Sequence, residues 1–322
     1  MPVALVTGVT GQTGSYLAEH LLGEGWTVHG VVRSADDTAE NAAALRSGVQ
    51  LHVGDLEDPD GMRALVAATR PTSIFNLGGI SSVAYSWTHP EETGRVTGLG
   101  VAALLDGAWQ LHRNTGQPVS FVQASSAEIF GSATEIPQTE LTPLGPVNPY
   151  GAAKAYAHHL VGVYRGLGLA ASSCILYNHE SPRRPAGFVT RKITREVARI
   201  ASGLSTDLAL GNLGAVRDWG WAPDYARALA LAATGEPGNY IIASGESHTV
   251  RDFVEAAFAA AGISDWQRFV RQDPAFMRPL DATALVGDPT KAREVLGWTP
   301  TVSFADMVSA MVESDLKAIS TS

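Results

Sequence analysis

Tyr150 and Lys154 stand four residues apart directly after Pro149, and the run that follows has helical period. A phenol and an ammonium at i and i+4 leave one face of a helix. An ammonium close to a phenol lowers its pKa, which makes phenolate available as a base near neutral pH. A hydroxyl and a carboxylate, Ser126 and Glu128, end the apolar run that begins at Val119, with Ala127 between them. Ser126 can serve proton transfer, or simply cap the next turn.

A second set of residues suits a cofactor. Gly8, Gly11 and Gly14 follow an apolar strand and open a helix, with Thr10, Gln12 and Thr13 between them. Glycines at such a turn let the backbone approach a pyrophosphate at the positive end of the helix. The next strand ends in Arg33-Ser34 rather than in an acidic residue, which favours the 2′-phosphate of NADP over the ribose of NAD. Asp55 and Leu56 after the third strand suit the adenine, and Leu77, Gly78 and Gly79 after the fourth pass near the cofactor backbone.

The elements that must position these groups are legible as an alternation. Strand-like runs at 3–8, 27–33, 49–55, 73–78, 119–125 and 171–178 are separated by segments of helical period, the longest at 95–113 and 150–166. This predicts an α/β fold, a Rossmann-type doubly wound parallel sheet, with ligands at the carboxyl ends of the strands. From about 179 the alternation becomes irregular, with helical patterns at 190–203, 223–234, 250–262 and 303–318. We read residues 1–178 as the NADP-binding domain, with about 210–230 returning to it. Residues 179–322 then form mainly a smaller, mostly helical substrate-binding lobe.

Composition narrows the class. The chain has 322 residues, 45% of them apolar and 17% charged, with a net charge of −9. That charge disfavours non-specific binding to nucleic acid or to an anionic membrane. Cys174 is the only cysteine, which excludes an intramolecular disulfide and a cysteine-based zinc cluster. No apolar run approaches the length of a membrane span, and the first residues lack the pattern of a secretion signal, so a cytoplasmic enzyme is expected.

Taken together, the glycine turn, Ser126, Tyr150 and Lys154 resemble the extended short-chain dehydrogenase/reductase superfamily, whose members rework nucleotide sugars on bound NAD(P). The segments Asn178-His179-Glu180-Ser181-Pro182-Arg183-Arg184, Phe188 to Arg195, Leu210 to Leu213, Arg217-Asp218-Trp219-Gly220 and Gly287 to Lys291 resemble GDP-mannose 4,6-dehydratases in particular. The resemblance runs from residue 3 to about 316. It implies NADP as cofactor and a hydro-lyase that converts GDP-mannose to GDP-4-keto-6-deoxy-mannose. Tyr150 would deprotonate the 4-hydroxyl beside Ser126, Lys154 would hold the nicotinamide ribose, and Glu128 would take the C5 proton. His179, Arg184 and Ser81 would face NADP. Ser82, Ser126, Asn178, Val189, Lys192, Gly211, Asn212, Arg217, Arg278 and Asp281 would face the GDP-sugar, with Arg191 a further cation nearby.

Other readings stay open at this stage. UDP-glucuronate decarboxylases carry a stretch similar to the one around Glu128. Another nucleotide-sugar epimerase, reductase or dehydratase, or a non-catalytic NADP-binding protein, uses the same fold. Two departures from the family pattern matter. Ala127 replaces the usual serine, and 33–50 is a short, alanine-rich stretch in which Arg33 stands where the family has two adjacent arginines. The second departure weakens the family's tetramer contact, and leaves a homodimer or homotetramer as the expected assembly.

Overall fold

The computed structural model describes residues 1–34, 45, 48–277, 280 and 284–321. Asp36, Asp37, Arg278, Asp281 and most of the alanine-rich stretch after Ser34 lie outside the described residues. Seven short strands rich in aliphatic residues form one parallel sheet: β1 (Val3–Thr7), β2 (Thr27–Val32), β3 (Val49–Val53), β4 (Ser73–Asn76), β5 (Ser120–Ser126), β6 (Ala170–Leu176) and β7 (Asn239–Ile242). Their order is β3-β2-β1-β4-β5-β6-β7, so the winding reverses between β1 and β4. Connections leave that point in opposite directions, which opens a crevice at the carboxyl ends of the strands.

Alternation along each strand fills both faces. Ala4 and Val6 join Leu17, Leu21, Tyr225 and Leu229 beneath helices α1 (Gln12–Gly23) and α6 (Ala222–Thr234). Leu5, Ile74 and Phe121 turn the other way, against α2 (Pro59–Thr69), α3 (Gly100–Thr115) and α4 (Pro149–Gly166). The helix expected over 95–113 begins as a wider turn, Gly94–Leu99, and continues as α3. A short helix at Val83–Thr88 and strand β7 were not anticipated. β7 is a four-residue run after Gly-Glu-Pro-Gly, too short to show a period, and pairing with β6 is what makes it a strand.

A second core joins α5 (Val189–Ala201), α7 (Val250–Ala260) and α8 (Phe304–Ser320), with Val197, Phe253, Val254, Val308 and Met311 at its centre. Thr249 starts α7 with a reciprocal capping box to Asp252. Arg191 of α5 pairs with the buried Asp315 of α8. Arg191, expected beside the substrate, thus ties two helices together. The chain leaves β6, runs through Asn178–Glu180, pairs that strand with Trp219–Trp221, and returns through α6 to β7.

Across the middle of the sheet, Thr7, Asn76 and Gln123 occupy one register row. Thr7 Oγ1 donates to Asn76 Oδ1 at 2.6 Å, and Asn76 Nδ2 donates to Gln123 Oε1 at 2.9 Å. Gln123 Nε2 then reaches the Ala124 carbonyl at 3.0 Å, while Gly78 N–H donates to Thr7 Oγ1 at 2.9 Å. All three side chains are buried, so each bond satisfies a group that water cannot reach. Among the described residues no helix is long and apolar enough to cross a membrane, and no group of three or more His, Cys, Asp or Glu could hold a metal ion.

Asn76→Ala strands the Gln123 amide oxygen and removes the acceptor of Thr7. We expect it to lower unfolding stability by about 2–3 kcal/mol in urea titration. A loss below about 0.5 kcal/mol would show that the row is not a structural determinant.

Candidate active site

Gly8 adopts φ +66°, and a methyl there would lie 2.9 Å from Gly78 N and from the Leu77 carbonyl carbon. A methyl at Gly14 would lie 2.1 Å from Gly8 O. The turn therefore packs backbone on backbone, and only glycine fits at these positions. Helix α1 begins at once after it, and its first turn has no side-chain cap. This bare, positive helix end beside an uncluttered backbone fits a pyrophosphate.

The next two residues reach across to the strand after β6. Gln12 Nε2 donates to the His179 carbonyl at 2.9 Å, and Ser181 Oγ donates to Gln12 Oε1 at 2.8 Å. His179 Nδ1 bonds the Tyr177 carbonyl at 2.8 Å, so that nitrogen carries the proton and Nε2 accepts from Thr13 Oγ1 at 2.7 Å. Burial, reinforced by Arg184, pushes the His179 pKa down to about 3, which keeps the ring neutral. Arg183 completes the join: it donates to Ser15 Oγ and Glu19, and lies over the Tyr16 ring at 4.1 Å.

Helix α4 delivers the catalytic candidates. Asn148 caps it by accepting from Gly151 N–H at 2.8 Å, and its amide donates to Glu128 Oε2 at 2.8 Å. A methyl at Gly151 would lie 2.5 Å from the Glu128 carbonyl, so this glycine lets α4 seat against the turn Ala127–Ile129. Lys154 is 5% exposed and donates to the Ala124 carbonyl at 2.9 Å, with Nζ 5.8 Å from the centroid of the Tyr150 ring. Ser126 Oγ accepts from Glu128 N–H at 3.3 Å, and its hydroxyl lies near enough to the Tyr150 phenol to lower its pKa. The capping and proton-transfer readings of Ser126 are thus compatible.

The charge states depart from the simple expectation that Lys154 brings the phenol near neutrality. Burial pushes Tyr150 up to about 12, with Glu128 adding to the rise and Ser126 and Arg184 opposing it. Burial also brings Lys154 down to about 8. In both groups desolvation is the largest cause.

Ser126, Glu128, Tyr150, Lys154, His179 and Arg184 line one cavity of about 680 Å³ at the carboxyl ends of β1, β4, β5 and β6. Of the candidates expected at the cofactor, Gly8, Gly11, Gln12, Thr13, Gly14, Leu77, Gly78, Gly79, Ser81, Tyr150, Lys154, His179 and Arg184 line it. So do Ser82, Ser126, Glu128, Asn178, Val189, Lys192, Gly211, Asn212 and Arg217. Thr10, Arg33, Asp55 and Leu56 do not. Arg33 is exposed at the end of β2, and Asp55 caps its own turn by accepting from Glu57 N–H.

Several lining residues escaped the sequence reading. Glu180 is 1% exposed, accepts from Thr190 Oγ1 at 2.6 Å, and pairs with Arg184 at 3.2 Å, while Arg184 stacks on Phe188. Trp87, Trp219, Phe276 and Met277 also line the cavity, although aromatic residues in such runs read as core.

A family profile described as GDP-mannose 4,6 dehydratase matches residues 5–311. The chain belongs to this family. It is 42% identical to GDP-mannose 4,6 dehydratase 2 of Arabidopsis thaliana, over 98% of this chain and 87% of that protein. It is also 42% identical to the GDP-mannose 4,6 dehydratase of Homo sapiens, over 99% and 92%. Among solved structures, a UDP-glucose 4-epimerase of Thermotoga maritima superposes with a TM-score of 0.86 at 25% identity, covering 98% of this chain and 99% of that one. The family profile spans both the cofactor turn and the helical lobe, and so covers the whole cavity.

The depressed pKa of Lys154 has a stability consequence. Between pH 8 and its unfolded value of 10.5, the unfolded chain binds more protons than the folded one, so this residue makes stability rise with pH. Wild-type protein should gain roughly 2 kcal/mol relative to Lys154→Met between pH 8 and pH 10. Parallel urea curves for the two proteins over that range would contradict the buried-ammonium assignment.

Proposed function

We propose that this chain is an NADP-dependent hydro-lyase, working in the cytoplasm, that converts GDP-mannose to GDP-4-keto-6-deoxy-mannose. The observation that carries the reading is Glu128, held by Asn148 in the same cavity as Ser126, Tyr150 and Lys154. A 4-epimerase or ketone reductase needs a phenol, a lysine and a hydroxyl, but has no use for a carboxylate here.

NADP would lie along the glycine turn, between Leu77–Gly79 and His179, with Lys154 at its nicotinamide end. When bound in oxidised form it supplies the hydride acceptor and a positive charge that offsets the burial of a phenolate. Tyr150 takes the proton of the 4-hydroxyl, and Ser126 steadies that oxygen. Oxidation at C4 makes the C5 proton acidic, and Glu128 removes it. The electron pair left at C5 forms the C5–C6 double bond as the 6-hydroxyl departs with a proton, as water. Return of hydride to C6 and of a proton to C5 completes the product. One water is lost and no net oxidation occurs.

Ala127 cannot protonate the leaving hydroxyl. It lines the cavity between Ser126 and Glu128 with only a methyl to offer, so the proton comes back from Glu128. On the other side of the cavity, Lys192 and Arg217 would meet the diphosphate, with Asn178, Asn212 and Gly211 beside the nucleotide. We infer the same division of labour between residues 1–178 and the lobe after 179, with α6 and β7 belonging to the sheet. A homodimer through Gly94–Leu99, α3 and α4 accounts for the exposure of Leu99, Tyr156 and Val163 on those helices.

Incubation with GDP-mannose and NADP in deuterated buffer should yield a product lighter by one water, with deuterium at C5, as read by mass spectrometry and NMR. Glu128→Gln should lower turnover by about 10²–10⁴-fold. It should still allow C4 oxidation, visible as reduced NADP in a single turnover. If the variant dehydrates at the wild-type rate, the role of Glu128 is wrong. If the wild type leaves GDP-mannose unchanged, the substrate is another nucleotide sugar.

A further inference from the structure

Phe276 ends the short turn Pro274–Phe276 and is 52% exposed, yet it lines the cavity. The backbone beneath it is firmly placed. Val270–Gln272 pairs in parallel with Leu208–Leu210, and Asp273 N–H donates to the Leu210 carbonyl at 2.8 Å. A methyl at Gly211 would lie 2.4 Å from Phe276 O, so glycine is what lets the two segments lie this close. The Asp273 carboxylate accepts from Ala275 N–H and pairs with Arg271 at 3.0 Å. The fold thus holds a half-exposed phenyl ring at the cavity wall instead of burying it, against the hydrophobic drive.

One face of that ring carries a charge. Lys192 Nζ lies 3.4 Å from the ring centroid, and the same nitrogen donates to the Ala209 carbonyl at 2.7 Å. A cation over an aromatic face is attracted by the ring quadrupole, and a purine stacks on that same face. The two occupants exclude each other.

We propose that Phe276 is the stacking platform for the purine of the nucleotide sugar, and that Lys192 occupies its face until the nucleotide displaces it toward the diphosphate. The proposal rests on the reading of the substrate as a GDP-sugar. Burial holds the Lys192 ammonium below its ordinary pKa, so an adjacent phosphate gives it a stronger partner than a ring and a carbonyl. Arrival of the base and neutralisation of the diphosphate become one coupled event. A sugar phosphate without a base would leave Lys192 on the ring.

The test is calorimetric titration of the NADP-saturated protein with GDP, guanosine and inorganic pyrophosphate. Phe276→Ala should weaken GDP by about 10-fold or more while leaving pyrophosphate unchanged. Phe276→Trp should restore GDP affinity. Lys192→Met should tighten guanosine, because the ammonium no longer competes for the ring, and should leave pyrophosphate unaltered, because without a base Lys192 stays on the ring. If Phe276→Ala weakens GDP and pyrophosphate equally, the ring only positions Lys192 and the platform is wrong. If Phe276→Ala leaves GDP affinity unaltered, the base does not touch the ring. Wild-type protein that binds no GDP would overturn the substrate reading and the platform with it.

Discussion

The row of Thr7, Asn76 and Gln123 is the constraint on which the site depends. It joins the carboxyl ends of β1 and β4 to the middle of β5 at the place where the winding of the sheet reverses. Its first residue holds Gly78 N–H, which fixes the backbone that Gly8 packs against. Its last residue holds the Ala124 carbonyl, the same oxygen to which Lys154 is bonded. Both ends of the cavity are thus registered to one buried chain of amides and a hydroxyl. Such a chain has a single satisfied arrangement, because reversing Gln123 would put donor against donor at Asn76, and reversing Asn76 would put acceptor against acceptor at Gln123.

A second join sets the opposite wall. Gln12, Thr13, Ser15 and Glu19 all belong to α1, and all bind the segment from His179 to Arg183. The helix whose N-terminus would carry a pyrophosphate is therefore the helix that anchors the entry to the second lobe. Neutral His179 suits this position, since a charged ring beside Arg184 would add repulsion to its desolvation. Helix α5 is coupled to the same wall through Thr190 and the buried Glu180. The glycine-turn wall and the helical-lobe wall of the cavity are in this way one mechanical unit, although they belong to separate hydrophobic cores.

What the sequence made legible was local. The glycine turn and Tyr150 with Lys154 carry their geometry in their spacing, because a strand-to-helix turn and a helical face are set within a few residues. Asn148 as the cap of α4 is equally local, but its second bond, to Glu128, joins residues twenty positions apart and has no period to reveal it. Arg191 was read as a substrate cation because it adjoins Lys192 in a basic run. A helix turns by about 100° per residue, so neighbours face different ways. Lys192 faces the cavity and Arg191 faces Asp315, 124 residues on. Phe276 was invisible for the opposite reason, since an aromatic residue beside Met277 looks like core until its exposure is known.

The alanine at 127 bears on how many acids the proposed reaction needs. Elimination requires a base at C5 and an acid at the 6-hydroxyl, and these act on adjacent carbons. A single carboxylate can do both when the proton it removes is the proton it returns. Glu128 suits such a shuttle. Asn148 fixes one carboxylate oxygen as an acceptor, and the loop is pinned on both sides by Ser126 and by α4. Ala127 lines the same cavity between Ser126 and Glu128 and offers only a methyl there. The methyl leaves the proton with the one residue placed to use it twice.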